Sequence, residues 1–219
     1  MFYTLEVALL MQHLGWEKAH IVGMSMVGVW GSDAPHWQDQ YNLYSVTQGG
    51  PIACAFAVNF PKLVDGKVAL LAPAGLMQDI HISAVPKFVS SRIGLYVATS
   101  SVFKSILGRL YTQHGDGAVG EELIKLQQLV LPHHIAAVAS SIRDGPLREL
   151  DYAFAKLGKS DTKVLVVWGT ADTVVPYSLA TQVLTHIPRA KLVTVAGAGH
   201  DLLITHAEEV GAALVDFLR

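Results

Sequence analysis

Ser25, Asp172 and His200 are the residues of this chain whose types and order could carry out covalent chemistry. Each closes an apolar run: Ile21-Val22-Gly23-Met24-Ser25, then Val164 through Gly169-Thr170-Ala171-Asp172, then Leu192 through Gly197-Ala198-Gly199-His200. A serine hydroxyl is a poor nucleophile at neutral pH unless a base lies within hydrogen-bond reach. Histidine titrates in the range such a base needs. A buried carboxylate fixes the tautomer of that histidine and stabilises its imidazolium. Together they would perform acyl transfer through a covalent intermediate. Taken singly, each has a plainer reading: Ser25 as a turn serine, Asp172 as the cap of the next helix, and His200 as a loop histidine. Asp201 is a competing carboxylate, but its adjacency to His200 points it away. Asp33 and Asp39 carry no assigned role.

Side chains so far apart in sequence converge only if the elements carrying them end on one edge of a sheet. A helical pattern over Tyr3 to Leu14 stops at Gly15, and a short strand at His20 to Val22 runs into the Ser25 turn. Gly49-Gly50-Pro51 opens an apolar, small-residue helix that ends at Asn59-Phe60-Pro61. A buried strand lies within Val64 to Gly75. Thr162 to Gly169 and Ala190 to Val195 read as further strands, with helices over Ser178 to His186 and His206 to Leu218, the latter with Val210, Leu214 and Phe217 on one face. Between them, Val85 to Thr99, Ser101 to Tyr111, Glu121 to Leu131 and Ile135 to Ile142 are helical candidates. Gly115-Asp116-Gly117 and Asp144-Gly145-Pro146 separate them. The pattern predicts an α/β fold: a mostly parallel sheet with helices on both faces, residues 1–75 and 158–219 forming the core and 76–157 an inserted helical cap. Parallel strands end on a shared carboxyl edge, where the three residues can meet.

The turn at Ser25 is one residue short of a nucleophile elbow. G-x-S-x-G needs its glycines because the strand and the following helix approach closely, yet Val27 stands where the second glycine belongs. Joining Met26 to Gly49 restores the pattern as Gly23-Met24-Ser25-Met26-Gly49. The intervening stretch from Val27 to Gln48 shows neither helical nor strand periodicity. Valine codons begin GT and one glutamine codon ends AG, the ends of an in-frame intron. A translated intron and a genuine surface insertion are the two origins left open. Either way, the helix start is expected to move away from Ser25.

On these three motifs, in this order, the chain resembles α/β-hydrolase-fold serine hydrolases of the esterase and lipase kind. The resemblance covers nearly everything outside Val27 to Gln48. It implies Ser25 as nucleophile, His200 as base, Asp172 as acid and the Met26 backbone N–H as one oxyanion donor, with water as co-substrate, no cofactor and a small ester substrate. Amide, thioester and carbon–carbon bond hydrolysis use the same triad and stay open, as does a non-catalytic protein of this fold that binds a small apolar ligand. The resemblance also implies several strands and a second oxyanion donor ahead of Met1. The chain is therefore expected to be a shortened, impaired hydrolase.

Composition narrows the alternatives. Apolar residues make up 51% of the 219 and charged residues 16%, enough for a large core. A net charge of −2 gives no basic footprint for nucleic acid. No apolar run is long enough for a membrane span, and no basic start marks a secretory signal, so a cytoplasmic location is the default. Lone Cys54 excludes an internal disulfide and reads as a small core hydrophobe. His133-His134 point to different helix faces and lack a third partner at metal-ligand spacing. Phe88, Tyr96, Phe103 and Tyr111 either roof a lipophilic acyl pocket or form the cap's own core.

Overall fold

The computed structural model describes residues 2–25, 43–46, 49–78, 88, 91–99, 130–131 and 134–219. Five parallel strands form one sheet: β1 (Ala19–Met24), β2 (Leu43–Val46), β3 (Val64–Leu71), β4 (Lys163–Gly169) and β5 (Lys191–Val195), in the order β2-β1-β3-β4-β5. The inner strands are apolar where the sheet is covered on both faces: most of β1, the second half of β3 and β4 beyond Lys163. Ile21, Val68, Leu70, Leu71, Leu165, Val166 and Val167 are fully buried. Register aligns the strand ends: Met24 pairs with Leu71, Leu71 with Val167, and Gly169 with Val195. Residues following β1, β4 and β5 therefore leave the sheet on a common edge.

Strand β2 corrects the sequence reading. Part of the segment from Val27 to Gln48 is a strand, pairing His20 with Leu43 through Gly23 with Val46. So short a strand is too brief for alternation to register as a pattern, and the pairing partner, not local propensity, decides the conformation. Of the chain described, β1 is thus an inner strand and β2 takes the edge.

Helix α1 (Phe2–His13) precedes β1, and α2 (Gly49–Asn59) follows β2. Gly49 through Ala57 are all buried, so α2 is apolar all round and serves as an inner helix rather than an amphipathic surface one. It packs against β1 and β3, with α1 and α5 (Asp151–Gly158) also against it. Two further helices, α3 (Arg92–Thr99) and α4 (His134–Asp144), fall in the region read as helical. Helix α6 (Leu179–His186) links β4 to β5. After β5 come a single-turn α7 (Leu202–Thr205) and the closing α8 (Ala207–Leu218). Val210, Leu214 and Leu218 form the buried stripe of α8, so Leu218 takes the place assigned to the half-buried Phe217. Lys67 Nζ donates to Leu218 O at 2.9 Å, placing a cation at the negative end of the α8 dipole.

The chain divides into two compact units, Met1–Met77 with Pro146–Arg219, and Gln78–Gly145. Helix α5 belongs to the first of these, although sequence placed most of it in the cap. Its Ala153, Phe154 and Leu157 are buried, and the apolar face they make is satisfied by α2. The candidates at Ser101 to Tyr111 and at 121–129, the turn at Gly115-Asp116-Gly117, Phe103, Tyr111, Asp33, Asp39 and His133 lie outside the described residues. Among the described residues no helix is long and apolar enough to cross a membrane, and no group of three or more His, Cys, Asp or Glu converges as a metal site.

Candidate active site

β1 ends at Met24, and the next residue turns sharply. Ser25 has φ 45°, a left-handed conformation that costs a non-glycine residue about 1–2 kcal/mol. Both of its backbone polar groups are tied: its N–H donates to Leu71 O at 2.9 Å and its C=O accepts from Gly50 N–H at 3.1 Å. The neighbouring strand behaves alike, since Ala72 directly after β3 has φ 41° and its N–H donates to Val167 O. Two adjacent strand ends thus turn the same way, and Ser25 is only 3% exposed.

The start of α2 stands against this turn. A Cβ added to Gly23 would lie 2.2 Å from Gly49 O, and one added to Gly49 would lie 2.0 Å from Met24 N. A Cβ on Gly50 would meet Pro73 at 2.4 Å. None of these separations admits a side chain, so glycine is required at all three positions by close backbone approach. The expected displacement of the helix from Ser25 is therefore overturned: α2 begins beside the serine although everything from Met26 to Gln48 intervenes in the chain. Sequence distance does not measure spatial distance when a segment leaves and returns at one place. Met26 and its N–H lie outside the described residues.

Asp172 follows β4 on a short loop and its side chain is wholly buried. Its two oxygens have separate partners. Oδ1 accepts from Val174 N–H and Val175 N–H, each at 2.9 Å, which is a local side-chain turn. Oδ2 lies 2.7 Å from His200 Nδ1. The helix-cap reading of this residue does not hold: α6 starts behind Ser178, and Oδ1 closes the turn of its own loop while Oδ2 faces the histidine. His200 follows β5, its side chain 19% exposed, and its Nε2 is 2.5 Å from Ser25 Oγ. An ionised carboxylate only accepts, so the proton on the Asp172 side belongs to Nδ1. Nε2 is then left with a lone pair facing the serine hydroxyl.

Positioning contacts escaped the sequence reading. Thr170 Oγ1 accepts from Gly197 N–H at 2.8 Å, and Ala171 N–H donates to Ala198 O at 2.9 Å, so the loops carrying Asp172 and His200 are bonded to each other. Trp168 Nε1 donates to Val175 O at 3.0 Å, holding the far side of the Asp172 turn. A Cβ on Gly169 would lie 2.2 Å from Ala198 O. Only the second residue of Gly169-Thr170-Ala171-Asp172, a hydroxyl at a strand end, hinted at this. Asp201 is exposed, and its carbonyl accepts from Ile204 and Thr205 N–H. Cys54 is wholly buried, and loss of hydration pushes its thiol pKa up, away from reactivity.

The chain resembles known proteins in sequence and in fold. The family profile described as "TAP-like protein" matches residues 146–219, which hold Asp172 and His200. Over 216 residues the chain is 29% identical to 2-hydroxy-6-oxo-6-phenylhexa-2,4-dienoate hydrolase of Comamonas testosteroni, covering 96% of this chain and 66% of that protein. The enzyme of the same name from Burkholderia cepacia is 26% identical over 213 residues, covering 95% and 65%. The chain thus spans just under two thirds of the length of these curated relatives. Among solved structures, BpoC of Mycobacterium tuberculosis H37Rv, described as a "Putative non-heme bromoperoxidase", aligns with TM-score 0.66 at 20% identity, over 98% of this chain and 71% of that one. A structure from a study of carboxylesterases of the thaumarchaeon Nitrososphaera gargenis aligns with TM-score 0.66 at 18% identity, over 99% and 70%. The fold is that of the α/β-hydrolases.

Proposed function

We propose that this α/β-hydrolase-fold chain is a serine hydrolase that cleaves small carboxylic esters of apolar acyl groups through an acyl-enzyme. One observation carries the reading: Ser25 Oγ stands 2.5 Å from His200 Nε2, and the opposite ring nitrogen stands 2.7 Å from a buried Asp172 oxygen. Ser25 attacks the ester carbonyl carbon, and its proton passes to His200 Nε2. The alcohol leaves with that proton as the C–O bond breaks, leaving acyl-Ser25. Water then adds to the acyl carbon, giving a proton to Nε2. That proton returns to Ser25 Oγ as the carboxylic acid departs. Asp172 keeps Nδ1 protonated throughout and offsets the charge of the imidazolium. The Met26 N–H is assigned to the oxyanion. Residues 78–145, the second compact unit, are assigned in this proposal as the cap region, and turnover is expected to be impaired because Met26, the assigned oxyanion donor, leads into Val27 rather than directly into Gly49.

A second reading, hydrolysis of a carbon–carbon bond in a 2-hydroxy-6-oxo-dienoate, is favoured by the names of the two curated relatives. The same serine and base serve both reactions, so substrate decides. A fluorophosphonate probe is expected to label the chain at Ser25 and to leave Ser25→Ala unlabelled. Protein not exposed to the probe is then given p-nitrophenyl butyrate and, separately, 2-hydroxy-6-oxo-6-phenylhexa-2,4-dienoate. Turnover of the first alone supports the ester reading, and turnover of the second alone replaces it. A folded chain that the probe does not label ends both readings in favour of a ligand-binding protein of this fold.

A further inference from the structure

A nucleophile elbow needs a second glycine two residues after its serine. The contacts required of that glycine are made by Gly49. Its Cα hydrogen faces the Met24 backbone where a Cβ would lie 2.0 Å from Met24 N, and Gly23 in turn has room for nothing but hydrogen against Gly49 O. The hydrogen bonding gives the register. Gly50 N–H donates to Ser25 C=O at 3.1 Å. A carbonyl-to-N–H bond of this kind commonly closes a β-turn between its first and fourth residues. With only Met26 between Ser25 and Gly49, Gly50 is the fourth.

We propose that Gly49 and Gly50 are the positioning residues of the Ser25 elbow, in the register they would have if Met26 were followed directly by Gly49. Val27 to Gln48 is then an excursion out of a complete turn, and removal of that segment, neither longer nor shorter, restores a continuous elbow. The Gly50–Ser25 hydrogen bond sets this register, and two close approaches hold the helix start against the turn: Gly23 to Gly49, and Gly50 to Pro73, where a Cβ would lie 2.4 Å from the proline ring. The register stands on geometry alone. Its consequence for reactivity rests on the reading of Ser25 as the nucleophile.

The test compares three deletions made in the full chain: residues 27–48, residues 26–48 and residues 27–47. All three lose β2 and its pairing with β1, so that loss cancels among them, and only the register differs. Deletion of 27–48 is expected to melt about 5 °C or more above the other two. Its Ser25 should be labelled by a fluorophosphonate no more slowly than in the uncut chain, while the shifted deletions label about tenfold more slowly or worse. In the 27–48 deletion, Gly49→Ala should reproduce the slow labelling. Equal melting temperatures for all three, or failure of the 27–48 deletion to fold, would overturn the register. A stable 27–48 deletion whose serine never reacts, beside two unstable shifted ones, would uphold the register and reject Ser25 as a nucleophile.

Discussion

At the scale of single residues, the two oxygens of Asp172 have different partners. Oδ1 holds the turn through Val174 and Val175, and Oδ2 holds His200. Asp172→Asn keeps an oxygen for the turn but replaces the charge that holds the His200 tautomer. It should melt close to the parent while losing about 10³–10⁴ in turnover. Asp172→Ala also strands the Val174 and Val175 N–H groups, the second of them buried, at a cost of about 1–3 kcal/mol, measured by urea unfolding. If Asn and Ala destabilise alike, the division of labour between the oxygens is wrong. His20 offers a second prediction. Its buried Nδ1 has no hydrogen-bond partner among the described residues, and burial lowers its pKa below the ordinary 6.5, outweighing the opposing pull of Asp65, while Lys67 adds to the lowering. Below pH 6.5 the unfolded chain then binds a proton that the folded chain refuses, so stability falls as pH drops. Thermal melting of His20→Gln should fall less steeply than that of the parent as the solution is acidified from neutrality through this range.

At the scale of elements, glycines set how close strands, helices and loops come. Gly169 ends β4 against the carbonyl of Ala198, and so fixes the loop bearing Asp172 beside the loop bearing His200. Gly169→Ala should cost about 1–3 kcal/mol by overpacking and should lower turnover further by separating the two loops. A variant as stable and active as the parent would show that the approach is not needed. The strands and helices around the site could be read from sequence because their apolar runs are long and bounded by glycine or proline. So could the order of Ser25, Asp172 and His200, since each sits at the end of such a run. What escaped reading was pairwise and non-local. β2 exists because β1 offers it an open edge. Helix α5 joins the core because Phe154 finds α2. The Thr170–Gly197 bond joins two loops that no local pattern connects.

At the scale of the molecule, the first unit is assembled from two separate lengths of chain that meet at a tight junction. Gly75 N–H and Met77 N–H both donate to Leu147 O, at 2.8 and 3.2 Å, and Leu150 N–H donates to Gly75 O at 3.1 Å. The chain therefore leaves this unit and re-enters it at neighbouring points. Replacing residues 78–145 with a short glycine-serine linker should leave the remaining unit folded. Far-UV circular dichroism and a cooperative melt would check this. A non-cooperative melt would show that the second unit contributes to the stability of the first. Closing a short loop in place of the whole of Gln78–Gly145 also lowers the entropy of the unfolded chain by a modest amount.

The hydrogen bond from Ser25 to His200 joins positions 175 apart in sequence. Contacts of that separation form late, because the intervening chain must first be ordered. The order of events during refolding follows from it. Helices such as α2 and α8 need only local contacts, and the β3–β4 pairing must precede the arrival of β5 and its histidine. Serine reactivity should thus return last, behind helical signal and behind burial of Trp168, and it would time the final step by which this chain becomes native.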